Sequence, residues 1–142
     1  AQRLGIRNIK TRTWDATKID SALVGKADRV IVDAPCSGLG VVRRKPEIKY
    51  KKRTIEFDTL PRKQGEILYA SSRYVKPGGV LMYCTCTINP AENQKVVFDF
   101  LKRNKDFQKE EMVQLLPNTD GTDGFFICKM KKTTSIVSDE EY

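Results

Sequence analysis

The chain has 142 residues, 39 % hydrophobic and 31 % charged, which is the length of one domain and the balance of a globular protein rather than a fibrous or membrane-embedded one. Lys and Arg number 26 against 18 Asp and Glu, and a net charge of +8 suits a polyanion such as RNA or DNA as well as it suits an ordinary basic surface. No apolar run nears the length of a membrane span, no signal-peptide core opens the chain, and the absence of histidine removes the usual general base and metal ligand.

Ala1 to Gly5 reads as the last turn of a helix, with Gly5 as its cap. Ile6 to Asp15 reads as a strand of mixed pattern that carries the lone Trp14. Asp15, at its end, suits either a ligand amine or hydroxyl or a local turn. Ile19 to Gly25 is a short link. Val30-Ile31-Val32 is a β-branched run that stops at Asp33-Ala34-Pro35-Cys36-Ser37-Gly38. That is the pattern of a buried strand delivering side chains to a loop. In open α/β sheets this carboxyl end is where ligands bind.

Leu39 to Arg53 follows as a long loop. From Arg43 to Arg53 seven of eleven residues are basic: Arg43, Arg44, Lys45, Lys49, Lys51, Lys52 and Arg53. These side chains suit phosphates, and Tyr50 among them suits a stacked base; a solvated charged face is the plainer reading. Thr59 to Val75 is expected as a helix, with Asp58 or Thr59 as its cap, Pro61 in its first turn and Pro77-Gly78-Gly79 as its stop. Leu60, Ile67, Leu68, Tyr74 and Val75 form its apolar face, with Ser71 among them. Val80 to Cys84 is the next strand, ending in Cys84-Thr85-Cys86-Thr87. Asn89-Pro90-Ala91-Glu92 reads as a capping box for a helix from Pro90 to about Asn104, whose positive end would favour a thiolate at Cys86. Asp106 to Leu116 and Phe125 to Met130 are expected as an antiparallel hairpin. The whole is an α/β three-layer pattern over residues 1–132, with a frayed polar tail over 133–142.

The four cysteines sit in core-like sequence, which points to reduced thiols in a cytoplasmic protein. Their spacings lack the paired knuckles of a zinc site, so no metal is expected. Cys84 and Cys128 read as packed core residues. If the strands ending at Asp33 and Cys84 are parallel neighbours, Asp33, Cys36 and Cys86 meet at one edge. Two thiols and a carboxylate are parts for covalent catalysis. A thiolate can add to C6 of a pyrimidine, which makes C5 able to attack an electrophilic methyl group. A second group must stabilise the ring at N3, and a base must remove the C5 proton.

Asp33-Ala34-Pro35-Cys36-Ser37-Gly38 with Gly40-Val41, and Tyr83-Cys84-Thr85-Cys86-Thr87 with Asn89-Pro90-Ala91-Glu92-Asn93, resemble two signature motifs of the RNA cytosine-C5 methyltransferases, the Nop/Sun family. Arg43 to Ile48 and Asp123-Gly124-Phe125-Phe126-Ile127 resemble it too. The likeness is greatest to the bacterial Sun/Fmu type, which acts on small-subunit ribosomal RNA, and it covers residues 1 to about 132. The resemblance implies a Rossmann-like methyltransferase fold, with S-adenosylmethionine as methyl donor and RNA, 16S ribosomal RNA in the Sun/Fmu type, as partner. It implies Cys86 as the nucleophile, Cys36 as the residue that promotes product release, and Asp33 near N3 of the cytosine. Asp15, Asp33 and Pro35 would face the cofactor.

The family's Gly-rich cofactor loop, its ribose-binding acid and its first two strands have no counterpart here. The chain is therefore expected to be the C-terminal part of a longer enzyme, with an incomplete cofactor pocket. The strand ending at Asp15 is then expected to pair elsewhere or stand alone. A non-catalytic RNA-binding module is the alternative reading, and tolerance of Cys86→Ala separates the two.

Overall fold

The structure, a computed structural model, describes residues 2–50 and 54–134. Strand β1 spans Ala27–Asp33, β2 Val75–Thr85, β3 Phe107–Leu115 and β4 Phe125–Lys132. Helix α1 spans Thr54–Ser72, α2 Gln94–Arg103, and α3 is a single turn, Pro117–Asp120. The sheet order is β1-β2-β4-β3. β1 and β2 are parallel, joined through α1; β4 pairs antiparallel with both β2 and β3. The expected hairpin and the expected parallel pair are both present.

The register explains the core. Val32, Tyr83, Cys128 and Met112 lie in one row across the sheet, with Leu81 and Met130 in the adjoining row. Alternation puts these side chains on one face. α1 lays Ile67 and Leu68 on that face and α2 lays Val96, Val97 and Phe100 on it, so one cluster joins both helices to the sheet. Burying each large side chain contributes roughly 1.5–3 kcal/mol. A helix as short as α2 is marginal alone, so this cluster holds it. The opposite face carries none of the described helices, and Ile31 in mid-strand is 70 % exposed.

Several boundaries differ from the sequence reading. Ile6 to Asp15 is not a strand: it joins no ladder among the described residues. It is tied locally instead, by the Arg12–Asp20 ion pair and by Trp14 Nε1 donating to Lys18 O at 2.9 Å. A strand pattern without a neighbouring strand has no ladder to join. Helix α1 begins at Thr54, so Pro61 lies inside it rather than in its first turn. The helix ends at Ser72, and β2 starts at Val75. Pro77-Gly78-Gly79 is a bulge within β2, where pairing jumps from Ala27↔Val75 to Arg29↔Val80. A Cβ at Gly79 would stand 2.8 Å from Asp28 O, so the strands approach too closely there for a side chain. Helix α2 starts at Gln94, after a turn over residues 90–93. Of the expected tail only Thr133 and Thr134 are described, and Thr133 N–H donates to Asp106 O at 2.7 Å.

Candidate active site

The parallel pair brings two loops to one edge. Asp33, the last residue of β1, lies in register with Cys84. Ala34 N–H donates to Cys84 O and Gly40 N–H to Cys86 O, both at 3.0 Å, so the loop after β1 lies along the loop after β2. Cys36 Sγ and Cys86 Sγ are 3.2 Å apart, and both residues are half-buried. Burial, and then the hydrogen bond with Cys86, pushes the Cys36 thiol up to about 12.

A third loop closes on the first. Gly124 N–H donates to Gly40 O at 2.7 Å. A Cβ on Gly40 would stand 2.0 Å from Gly124 O. These two glycines let the β3–β4 connection touch the cysteine loop directly.

Beneath the loops lies a buried polar network. Glu92 is fully buried, and its Oε1 accepts from Ser37 N–H at 2.8 Å and Gln64 Nε2 at 3.1 Å. Its Oε2 accepts from Ser37 Oγ at 2.6 Å and Asn89 Nδ2 at 3.0 Å. Tyr83 OH donates to the Glu92 carbonyl at 2.7 Å. Asn93 Nδ2 donates to Thr87 O at 2.9 Å and to Gln114 Oε1 at 2.8 Å. Gln64 Nε2 also donates to Pro35 O at 2.9 Å, so α1 holds the cysteine loop from below.

Asp33 is exposed at the end of β1, and Pro35 is exposed beside it. Asp15 is exposed; its Oδ1 accepts from Thr17 N–H at 3.0 Å and Thr17 Oγ1 at 2.7 Å, and these bonds hold its carboxyl below the usual range. Among the described residues no hydrogen bond or ion pair links Asp15 to Asp33 or to either cysteine. Cys84 and Cys128 are buried; burial raises both thiols, Cys128 to about 11, with Asp33 adding to the rise at Cys84. Among the described residues no three Cys, Asp or Glu side chains are placed to hold a metal ion.

The basic run divides. Arg44 Nε lies 2.7 Å from Asp123 Oδ2, and Arg43 Nη2 lies 4.0 Å from Asp123 Oδ1. Lys45 and Lys49 are exposed around the 3₁₀ turn Pro46–Tyr50. Lys51, Lys52 and Arg53 fall outside the described residues. A groove of about 820 Å³ between α1 and α2 is lined by residues such as Arg62, Tyr69, Lys95 and Asp99, and neither cysteine of the pair reaches it.

Sequence reasoning missed Gln64, Asp123 and the function of Glu92. Gln64 had a signal: it shares the helical stripe of Ile67, Leu68 and Ser71, so a polar side chain was headed for the core. The sequence presents Glu92 as half of a capping box, but its carboxylate does not accept from Asn89 N–H, which donates to Thr87 Oγ1 at 3.3 Å. Asn89 donates to Glu92 from its side-chain amide instead.

The description 16S rRNA methyltransferase RsmB/F matches residues 1–131. A Bacillus subtilis (strain 168) protein named "Probable ribosomal RNA small subunit methyltransferase B" is 39 % identical over 150 residues, covering 93 % of this chain and 34 % of the relative. A ribosomal RNA small subunit methyltransferase B of Pectobacterium carotovorum (strain PC1) is 42 % identical over 112 residues, covering 74 % and 26 %. The crystal structure of PH0851 superposes with a TM-score of 0.87 at 31 % identity, covering 92 % of this chain and 32 % of that one. NSun6 from Pyrococcus horikoshii, solved with SFG, superposes at 0.80 with 32 % identity, covering 94 % and 37 %. The chain thus spans a quarter to a third of the length of these curated relatives. Its mixed sheet and helices have the Rossmann-like methyltransferase fold expected from the motifs. With all but its last eleven residues under one family description, the chain belongs to the 16S rRNA methyltransferase RsmB/F family.

Proposed function

We propose that this chain forms part of an enzyme that transfers a methyl group from S-adenosylmethionine to C5 of a cytosine in RNA, most specifically 16S ribosomal RNA in the cytoplasm. The observation that carries the reading is the 3.2 Å approach of Cys36 and Cys86 at the carboxyl edge of two parallel strands. It is supported by the names of the relatives and by the SFG held by the Pyrococcus neighbour.

The Cys86 thiolate adds to C6, forming an S–C6 bond and moving the ring electrons to C5. Asp33, exposed and beside this edge, holds the ring at N3. S-Adenosylmethionine, when bound, would supply an electrophilic methyl group: C5 forms the new C–C bond as the methyl–sulfonium bond breaks and S-adenosylhomocysteine leaves. Loss of the C5 proton to a base then returns the electrons and expels Cys86. Cys36, which stays protonated near neutral pH, exchanges a proton with Cys86 and promotes release, a role supported by the 3.2 Å separation of the two sulfurs. The four described arginines and lysines of the basic run, Arg43, Arg44, Lys45 and Lys49, hold phosphates, with Lys51, Lys52 and Arg53 continuing the run.

The cofactor pocket here is partial. Asp33 and Pro35 are exposed at the edge such a molecule would use, while Asp15 has its carboxylate engaged by Thr17. The present residues fit one wall of the site.

The test uses the gene extended upstream, carrying Cys36→Ala, mixed with cellular RNA and S-adenosylmethionine. A slow covalent protein–RNA band on a denaturing gel is expected, and Cys86→Ala abolishes it. No band, with RNA still retained on a filter, would favour a binding module instead.

A further inference from the structure

We infer that Glu92 is a positioning residue that sets the Cys36 loop against the Cys86 loop; the inference rests on the two-cysteine reading above. Glu92 touches neither sulfur. It accepts from Ser37, the neighbour of Cys36, through both the backbone N–H and the hydroxyl. It accepts from Asn89 in the loop after Cys86, and from Gln64 on α1. Ser37 has one hydroxyl proton, and at 2.6 Å it goes to Glu92. Thr87, the neighbour of Cys86, therefore donates to Ser37 Oγ at 2.9 Å. One carboxylate thus joins α1 and the residues flanking both cysteines.

The choice of an acid is specific. Two donors meet Oε1; Ser37 Oγ and Asn89 Nδ2 meet Oε2, with Thr87 Oγ1 as a longer third at 3.4 Å, and the side chain is fully buried. Among the described residues no Lys or Arg pairs with it. A buried charge without a cation persists only where its hydrogen bonds are complete. Glutamine has the same shape but must turn its amide N–H₂ toward one pair of donors. Asn89 cannot flip to accept it without losing its bond from Ala91 N–H, at 3.1 Å. Glu92→Gln therefore breaks at least one tie between the loops while leaving the apolar core intact.

The test reads sulfur proximity without methyl transfer. The purified chain is treated with diamide at pH 8; Cys36 and Cys86 lose two protons and two electrons to diamide and form one disulfide, mapped by mass spectrometry. The wild-type chain is expected to close this bond rapidly. Glu92→Gln slows closure about tenfold at an unchanged far-UV circular dichroism spectrum, and in the gene-extended enzyme it lowers kcat similarly with KM for RNA kept, as expected for loop misplacement of the order of 1 Å. If Glu92→Gln does not fold, Ser37→Ala carries the test, since it removes the hydroxyl ties and spares the acid. Closure at the wild-type rate in a folded variant, or no Cys36–Cys86 disulfide in the wild type, overturns the inference. A gene-extended wild type that methylates no RNA overturns the proposed function, while the diamide rates still judge Glu92.

Discussion

Cys36 Sγ and Cys86 Sγ lie 3.2 Å apart across fifty residues of sequence. The strand register creates this approach, since Asp33 and Cys84 face each other across the parallel pair and each loop then runs a few residues to its thiol. The pair is buried enough to change how Cys36 titrates. Its folded pKa is raised from 9.0 to about 12, mainly by burial and next by Cys86. The folded state therefore holds this proton more tightly than the unfolded chain. That contribution to stability is complete below about pH 9 and is lost as pH rises toward about 12. Urea unfolding of wild type and Cys36→Ala at pH 8, 9.5 and 10.5 should show the wild type losing ground to the variant as pH rises. A difference that stays constant with pH would refute this account.

Asp123 holds two of the arginines assigned to RNA. Arg44 is 2.7 Å from it and Arg43 4.0 Å, with both arginine side chains mostly exposed. Phosphates must compete with this carboxylate for them. Asp123→Asn should tighten RNA binding, and should steepen the dependence of log K on log salt by up to about 1.4 if both arginines are freed, at roughly 0.7 per phosphate on a single strand. Because the ion pair is largely solvated, the loss of fold stability should stay within about 1 kcal/mol. An unchanged slope would show that these two arginines hold the loop rather than the nucleic acid.

S-Adenosylmethionine should bind this chain weakly or not at all on its own. The sequence has no Gly-rich cofactor loop, and Asp15 is turned onto Thr17. Isothermal calorimetry on the chain, and on the gene-extended protein beside it, checks this. Tight, stoichiometric heat from the chain alone would sink the idea.

How far the sequence could be read followed from how local each cause was. The β-branched run at Val30–Val32 and the Asn, Asp and Gly residues after Leu116 announced a strand and a turn without reference to distant chain, and both are where they were expected. The two apolar runs ending at Asp33 and Cys84 bring Cys36 and Cys86 to one edge if the strands are parallel neighbours, and they are; the resemblance adds the separate roles of the two thiols. Ile6 to Asp15 had a strand-like pattern, but a strand is a relation between two segments, and here the partner is lacking among the described residues. Pro77-Gly78-Gly79 carried a strong stop signal, yet the same residues serve a bulge where Gly79 meets Asp28 O. Glu92 was legible as a capping acid and illegible as a hub, because its donors come from residues 28 and 55 positions away as well as from its own turn.

Glycine substitutions test the loop geometry most directly, because the same change should have opposite signs at two positions. At Gly40 an added methyl would lie 2.0 Å from Gly124 O, 2.6 Å from Gly124 C and 2.8 Å from Cys86 O. All three are backbone atoms that cannot rotate away, and Gly40 also holds hydrogen bonds to both neighbouring loops. Gly40→Ala should cost about 1–3 kcal/mol, as overpacking of a well-filled site does. It should also slow disulfide closure between Cys36 and Cys86, since the loop must move to admit the methyl. Gly65 lies inside α1, where an added methyl meets no heavy atom within 4 Å. There alanine only removes the entropy cost of glycine in a helix, so Gly65→Ala should stabilise by about 0.5–1 kcal/mol. Urea unfolding of the two variants beside wild type decides the matter. If Gly40→Ala does not lower the midpoint, the Gly40–Gly124 contact does not constrain the cysteine loop.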